Sequence, residues 1–449
     1  MTRHGLYQCL QWSCDTELTK LFGYQGDTMK ARNRLFLIGL ASGIITTGCA
    51  EQDAIDIISA DNETARAKAS GPYLDVDNNG KYGSTKDIDL SHCFNTGEQQ
   101  NAAGDTICEI EKNNGSDYSE GYTLQAVGSV VFPAISGAYA INQNVIIEVE
   151  DGDLTIQDTL NCVDCGYVSF HADGNLEFSP KAGFQTSGTA RSQLILVMHA
   201  DGNLKMKSSL VDIDSSNPTQ MLLSAKGDID IRRADFTVDS DVASFFAADA
   251  GATLNASALQ IGAGEVYLDS ADDIISTNTK ISANNAYIDA RDVLKTTGLQ
   301  ANCLETLFID GEDVNASNMK VTATNLNVVA EETLTLKGAK TNTTYWTYIT
   351  SDGDINANGA QITSSEVRMK VDGNIALKNA KLDVKTFDIT TVPSTWFLPE
   401  LDARGLRVAN SAAASVCLND ADLADEVDMS VILTKADATT CSASTNTPE

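Results

Sequence analysis

Positive charge is scarce in this 449-residue chain: 31 lysines and arginines stand against 62 aspartates and glutamates, giving a formal charge of -31 and a pI near 4.3. So acidic a surface repels phosphate backbones, which argues against nucleic acid as a partner, and it attracts cations and basic surfaces. Histidine is scarcer still, with only His4, His92, His171 and His199, and no Ser-His-Asp or Cys-His arrangement has support in the sequence. The phosphate-cradling phrase G-x-x-x-x-G-K-[ST] is missing. The C-x-x-C of Cys162 and Cys165 has no second pair at zinc-finger spacing, so it reads as a local disulfide or two buried thiols. Long apolar runs are missing too. The run Leu35 to Ile45 is 11 residues long, too short to span a bilayer as a helix.

That run has a specific setting. Lys30, Arg32 and Arg34 precede it, and small residues lead from it to Gly48 and Cys49. The segment from Met29 resembles a bacterial lipoprotein signal peptide, which implies export and lipidation of Cys49 as the mature N-terminus. Ala50, where such lipoprotein families use Asp for inner-membrane retention, implies an outer-membrane anchor. Residues 1–28 are then expected to be an upstream extension from a wrongly chosen start, 29–48 the signal peptide and 49–70 a polar tether.

From about residue 145 to residue 392 the chain repeats. Aligned on the last large apolar residue before an acidic or glycine-rich turn, the anchors are Val149, Phe170, Met198, Leu223, Phe246, Leu268, Ile288, Ile309, Val329, Ile349, Met369 and Ile389. Their gaps are 21, 28, 25, 23, 22, 20, 21, 20, 20, 20 and 20. Near-equal gaps of this length indicate a solenoid. Within each period EVYLDS, NAYIDA, TLFIDG and EVRMKV alternate apolar with polar residues, the period of a half-buried strand. Two further short runs follow, GDLTI or GNIAL after a Gly-Asx turn and KISA or MKVT after it, so three brief strands are expected per coil. The fold class expected is all-β: a single-stranded, right-handed parallel β-helix of about 12 coils over 127–395, with caps at 71–126 and 396–449.

The phrases Gly152 to Ile156, Gly174 to Phe178, Gly202 to Met206 and Gly227 to Ile231 follow the pattern G-[DN]-L-x-L with conservative replacements. They resemble the short coils of filamentous haemagglutinin and related bacterial adhesins. The resemblance implies the same fold and, more distantly, an adhesive role.

Candidate sites are few. His171 and His199 occupy equivalent positions of neighbouring coils, each in an H-A-D-G-N phrase, and could hold a transition metal or be repeated turn chemistry. Asp269, Asp289 and Asp310 should form a second, acidic column able to attract Ca²⁺. Asp75, Asp77 and Asn79 match the first half of an EF-hand-like loop, but position twelve is Lys86, so a plain turn is the alternative. Lys181 and Arg191 in the enlarged coils, with Arg232 and Arg233 one coil later, are the expected place for a sugar ligand. Cys93 with Cys108 and Cys417 with Cys441 flank the repeats as disulfide candidates in an oxidising compartment, and Cys303 is expected to be a buried free thiol.

The function expected is that of a non-enzymatic outer-membrane lipoprotein, an adhesive or structural scaffold for an extracellular glycan or protein. No cofactor is expected to be required, and Ca²⁺ is the ion that the acidic candidates would admit. The alternatives are a polysaccharide lyase or hydrolase and a periplasmic partner-binding scaffold. A lyase would need a base and groove walls, and the tight coils after Leu268 leave no room for walls.

Overall fold

Alternation of inward and outward side chains sets each coil, and the coil beginning at Ile274 shows how. The short strand Ile274–Ile275 buries its first residue, the chain turns at Asn278, and Lys280–Ala290 then buries alternate residues from Ile281 to Ala290 before the next corner at Arg291 and Asp292. Stacking the first short runs gives a column Leu154, Leu176, Leu204, Ile229, Leu254, Ile274 and Leu294, every one fully buried. Burying one such side chain contributes about 1.5–3 kcal/mol. Because each coil alone is open on both faces, the core exists only when coils stack.

The structure is a computed structural model. It describes residues 71–75, 82, 87–90, 99–100, 106–108 and 121–418, the last without 136–137, 142–143, 164, 187–193, 215–218, 240–243, 392–400, 405 and 410–414. The described residues contain no helix and form a parallel β-solenoid of about 12 turns. One 15-stranded sheet collects the short runs and one 21-stranded sheet the remainder of each coil. All described residues belong to one compact unit.

The G-[DN]-L phrase has a distinct reason for each residue. Glycine is required because successive backbones nearly touch: a Cβ on Gly174 would stand 2.6 Å from the Gly152 carbonyl oxygen, and the Gly174 N–H donates to that oxygen at 2.8 Å. The Asx residue then links coils through its side chain. Asp153 Oδ1 accepts from Asn175 N at 2.6 Å, Asn175 Oδ1 from Asn203 N at 3.0 Å, and Asn203 Oδ1 from Asp228 N at 2.8 Å. The leucine or isoleucine that follows is the inward anchor.

A second corner turns on one left-handed residue per coil. Lys181, Ser208, Arg233, Ala258, Asn278, Gly298, Asn318, Gly338, Gly359 and Asn379 all have positive φ, between 56° and 79°. Six of the ten are obvious from residue type, since Asn and Gly favour this region, and Lys181, Ser208, Arg233 and Ala258 are not.

Three anchor positions shift relative to the sequence alignment. Ile147, not Val149, pairs with Phe170; Ala248, not Phe246, pairs with Leu223 and Leu268; Val328, not Val329, pairs with Ile309. The first two slips are by two residues, which preserves strand parity and so leaves the apolar pattern unchanged. The third follows bulges at 302/306 and 323/325, which add one residue to a coil. The three-strand coil also holds only in the first part. From Lys280 onward the second and third runs are continuous, as in Gln300–Gly311 and Lys340–Ser351.

Coils extend beyond the expected limits at both ends. Gly121–Val127 already pairs in parallel with Asn144–Glu150, and Leu401–Asp402, Arg407–Ala409 and Ser415–Leu418 continue the ladders. Before the first coil, Tyr73–Leu74 pairs antiparallel with Val130–Phe132 and with Ile88–Asp89, and this reversal ends the parallel edge. Cys162 and Cys165 form a disulfide with Cα atoms 5.7 Å apart, and Cys303 is a buried free thiol. Cys49, Cys93, Cys441 and the whole signal region lie outside the described residues, and Cys108 and Cys417 are described only as strand backbone.

Candidate functional site

The strand that ends at the Gly-Asx corner presents one outward residue per coil just before that corner. In register these are Glu148, His171, His199, Ser224, Asp249, Asp269, Asp289 and Asp310. The histidine pair and the aspartate column, expected as two features, are therefore one column, and Asp249 joins it. The enlarged coils between them concealed this, because their corner insertions break the even spacing. Column residue Val329 ends the acidic run.

At the histidine end, the two rings meet edge to face with centroids 4.9 Å apart. His199 Nε2 lies 3.0 Å from Asp201 Oδ1, and Asp201 Oδ2 forms an ion pair with Lys226. His171 Nε2 lies 3.7 Å from Asp173 Oδ1. Burial pushes the His199 imidazole below its ordinary pKa, against its hydrogen bond to Asp201, which raises it. Asp201 is held low: burial raises it, and Lys226 and His199 outweigh burial.

At the acidic end, the adjoining corner carries Asp272, Asp292, Glu312 and Glu332, joined coil to coil through backbone bonds such as Glu332 N to Glu312 O at 2.8 Å. The Glu332 charge is the main cause that pushes the Glu312 carboxyl above its usual range. Four further carboxylates, Asp75, Asp151, Asp153 and Asp173, line an open cleft of about 560 Å³ near the first coils. Asp75 is buried and its N–H donates to Ser129 O at 2.8 Å. Asp77 and Asn79 lie outside the described residues, so the EF-hand-like loop is seen only at its first position.

The positive residues expected to hold a sugar have separate placements. Lys181 and Arg233 occupy the left-handed corner column, Arg232 forks onto Asp230 two residues away, and Arg191 lies outside the described residues. In Asp230, burial raises the carboxyl and the Arg232 guanidinium outweighs it, so the group stays low.

A face that the sequence reading overlooked starts two residues past that corner. There Lys280, Gln300, Lys320, Lys340, Gln361, Lys381 and Arg407 form one continuous exposed column. Two residues further along each strand runs a parallel exposed column of Ser282, Asn302, Thr322, Asn342, Thr363 and Asp383. No described ion pair involves the five cations of the first column. Lys320 pairs directly with Lys340, and Lys381 with Arg407, an arrangement of like charges that costs stability. The signal was present in the sequence as a Lys, Gln or Arg two residues after an Asn or Gly in successive coils, within TNTKI, TTGLQ, SNMKV, KGAKT, NGAQI and KNAKL. A net charge of -31 hides it.

An aromatic stack, Phe245, Tyr267, Tyr287 and Phe308, has centroid separations of 5.1, 4.7 and 6.4 Å. Tyr267 and Tyr287 are only 9° from parallel, so they cover one another's faces and serve coil stacking rather than ligand stacking.

Comparison with known protein families, with curated proteins and with solved structures gives no match. The chain's assignment therefore rests on its fold, a parallel β-solenoid.

Proposed function

We propose that this protein is a non-enzymatic, lipid-anchored scaffold of the bacterial outer membrane that holds an extended acidic glycan against its Lys280–Arg407 face. The observation that carries the reading is the column of exposed cations, in no described ion pair, flanked from Ser282 to Thr363 by neutral hydroxyl and amide groups on a strongly acidic chain. Cations one rung or two rungs apart meet carboxylates or sulfates along a polymer, and the Ser, Asn and Thr column supplies donors and acceptors for its hydroxyls. Parallel rungs repeat about every 4.8 Å, so the contact is distributed over many weak points rather than one pocket. The lipoprotein-like segment around Cys49 supports the address.

A second reading of the same role has the glycan bridged by Ca²⁺ to the Asp249–Asp310 column, where Asp249, Asp269, Asp289 and Asp310 are register partners on consecutive rungs and offer the oxygen ligands a hard divalent ion prefers.

The test is binding of the purified full chain to a uronic-acid polysaccharide and to a neutral one, with Lys320→Glu/Lys340→Glu and Asp269→Asn/Asp289→Asn variants. The expected result is salt-sensitive, EDTA-insensitive binding to the acidic polymer alone, lost in the lysine variant. EDTA-sensitive binding lost in the aspartate variant would support the bridged form. Equal binding of both polymers, or none, overturns the glycan role. Protease shaving of intact cells tests the address, and protection until lysis would favour a periplasmic scaffold instead.

A further inference from the structure

Away from the polar face, two imidazoles and a carboxylate converge on the Gly-Asx corner of the enlarged coils. We propose that His171, His199 and Asp201 form a binding site for a transition-metal ion of the Zn(II), Ni(II) or Cu(II) class.

Three observations carry the site. One ligand atom from each residue lies within 4.8 Å of the other two, so small side-chain rotations bring all three to the roughly 2.0–2.2 Å such an ion requires. Strand register sets this proximity: His171 and His199 are direct partners on neighbouring rungs, so the backbone holds the rings together whether or not an ion is bound. The His171 ring is also incompletely satisfied, since its Nε2 is buried and without a hydrogen-bond partner. A structural histidine of a turn would be expected to place its ring nitrogens on donors or acceptors, as buried polar groups do.

The carboxylate is already oriented. Lys226 holds Asp201 Oδ2 and leaves Oδ1 turned to His199 Nε2 at 3.0 Å, where a proton now joins them. A metal ion would take that proton's place, with His171 as third ligand and water completing the set. Two imidazoles and one carboxylate favour borderline ions over Ca²⁺ and Mg²⁺, which prefer oxygen ligands. The same column thus changes ligand chemistry along its length, nitrogen-rich at His171 and His199 and all-oxygen from Asp249 to Asp310. The site is independent of what occupies the polar face.

The test is titration of the purified full chain with Zn(II) in a large excess of Ca²⁺, which saturates the acidic columns. The expected result is one retained equivalent of Zn(II), weakened at least about tenfold by His171→Gln or His199→Gln and unchanged by Asp269→Asn. Retention that survives both histidine substitutions places the ion on the acidic columns and overturns the proposal. Should those variants fail to fold, Co(II) added to the unsubstituted chain decides: visible absorption at one equivalent supports nitrogen ligation, and its absence overturns the site.

Discussion

Asn278 and Gly298 occupy the same corner of successive coils, and a Cβ on Gly298 would stand 2.6 Å from Asn278 Oδ1. Gly298 also has φ +73°, a region where side chains are strained. Gly298→Ala should therefore cost about 1–3 kcal/mol in urea unfolding. Gly359 has φ +69° with nothing within 4 Å of its Cβ position. Gly359→Asn should be close to neutral, because Asn tolerates the left-handed region. Equal losses at both sites would show that backbone conformation alone sets the corner.

The coil interior gives a larger effect. Phe236 is fully buried and its ring lies 5.0 Å from that of Phe246 on an adjacent strand. Phe236→Ala leaves a cavity that neighbouring coils cannot close, at a cost of about 3–5 kcal/mol. Chemical denaturation measures it, and a loss below that of Gly298→Ala would mean the coils collapse onto the gap.

Glu265 makes stability depend on pH. Burial pushes its carboxyl above the usual range; the hydrogen bond from Asn285 Nδ2 at 2.9 Å opposes this, and the Glu305 charge adds to it. Because the folded state holds the proton more tightly, the contribution is fully present below the unfolded value of about 4.3 and is lost as pH rises through the raised value. Glu265→Gln should raise Tm at pH 7 and leave it nearly unchanged at pH 3.5. Thermal scans at the two values decide, and an unchanged Tm at both would remove Glu265 as a source of pH dependence.

Cys303 is 3% exposed, and burial, then the Glu265 charge, pushes its thiol up to about 12. Alkylation at pH 8, mapped to the Cys303 peptide, should be on the order of a thousandfold slower in the folded chain than in urea. Comparable rates would mean that the coil opens readily.

Coil number and strand polarity were legible in the sequence because both are written locally, as Ile281, Ala283, Ala286 and Ile288 facing in between polar neighbours. Register was less so. A slip of two residues, as at Val149 or Phe246, keeps every apolar residue inside, and only the hydrogen-bonded partner distinguishes Ile147 and Ala248. The corner column was readable at Asn278 and Gly338 but not at Lys181 or Arg233, residue types that rarely adopt the left-handed conformation. The cationic face escaped notice because lysines on a solvent-facing column carry no period of their own until the corner residue two places earlier is used as the reference.

Opposite charges lie on different corners of the same coils, the carboxylates of Asp272, Asp292 and Glu312 on one and Lys280, Lys320 and Lys340 past the next. The solenoid therefore carries a lateral electrical moment across its cross-section, in addition to its net negative charge. An anionic layer, whether capsule or lipid headgroup, exerts a torque on such a body before any contact forms. Approach is thereby sorted by roll angle: the cationic side turns toward the layer and the carboxylate side away from it.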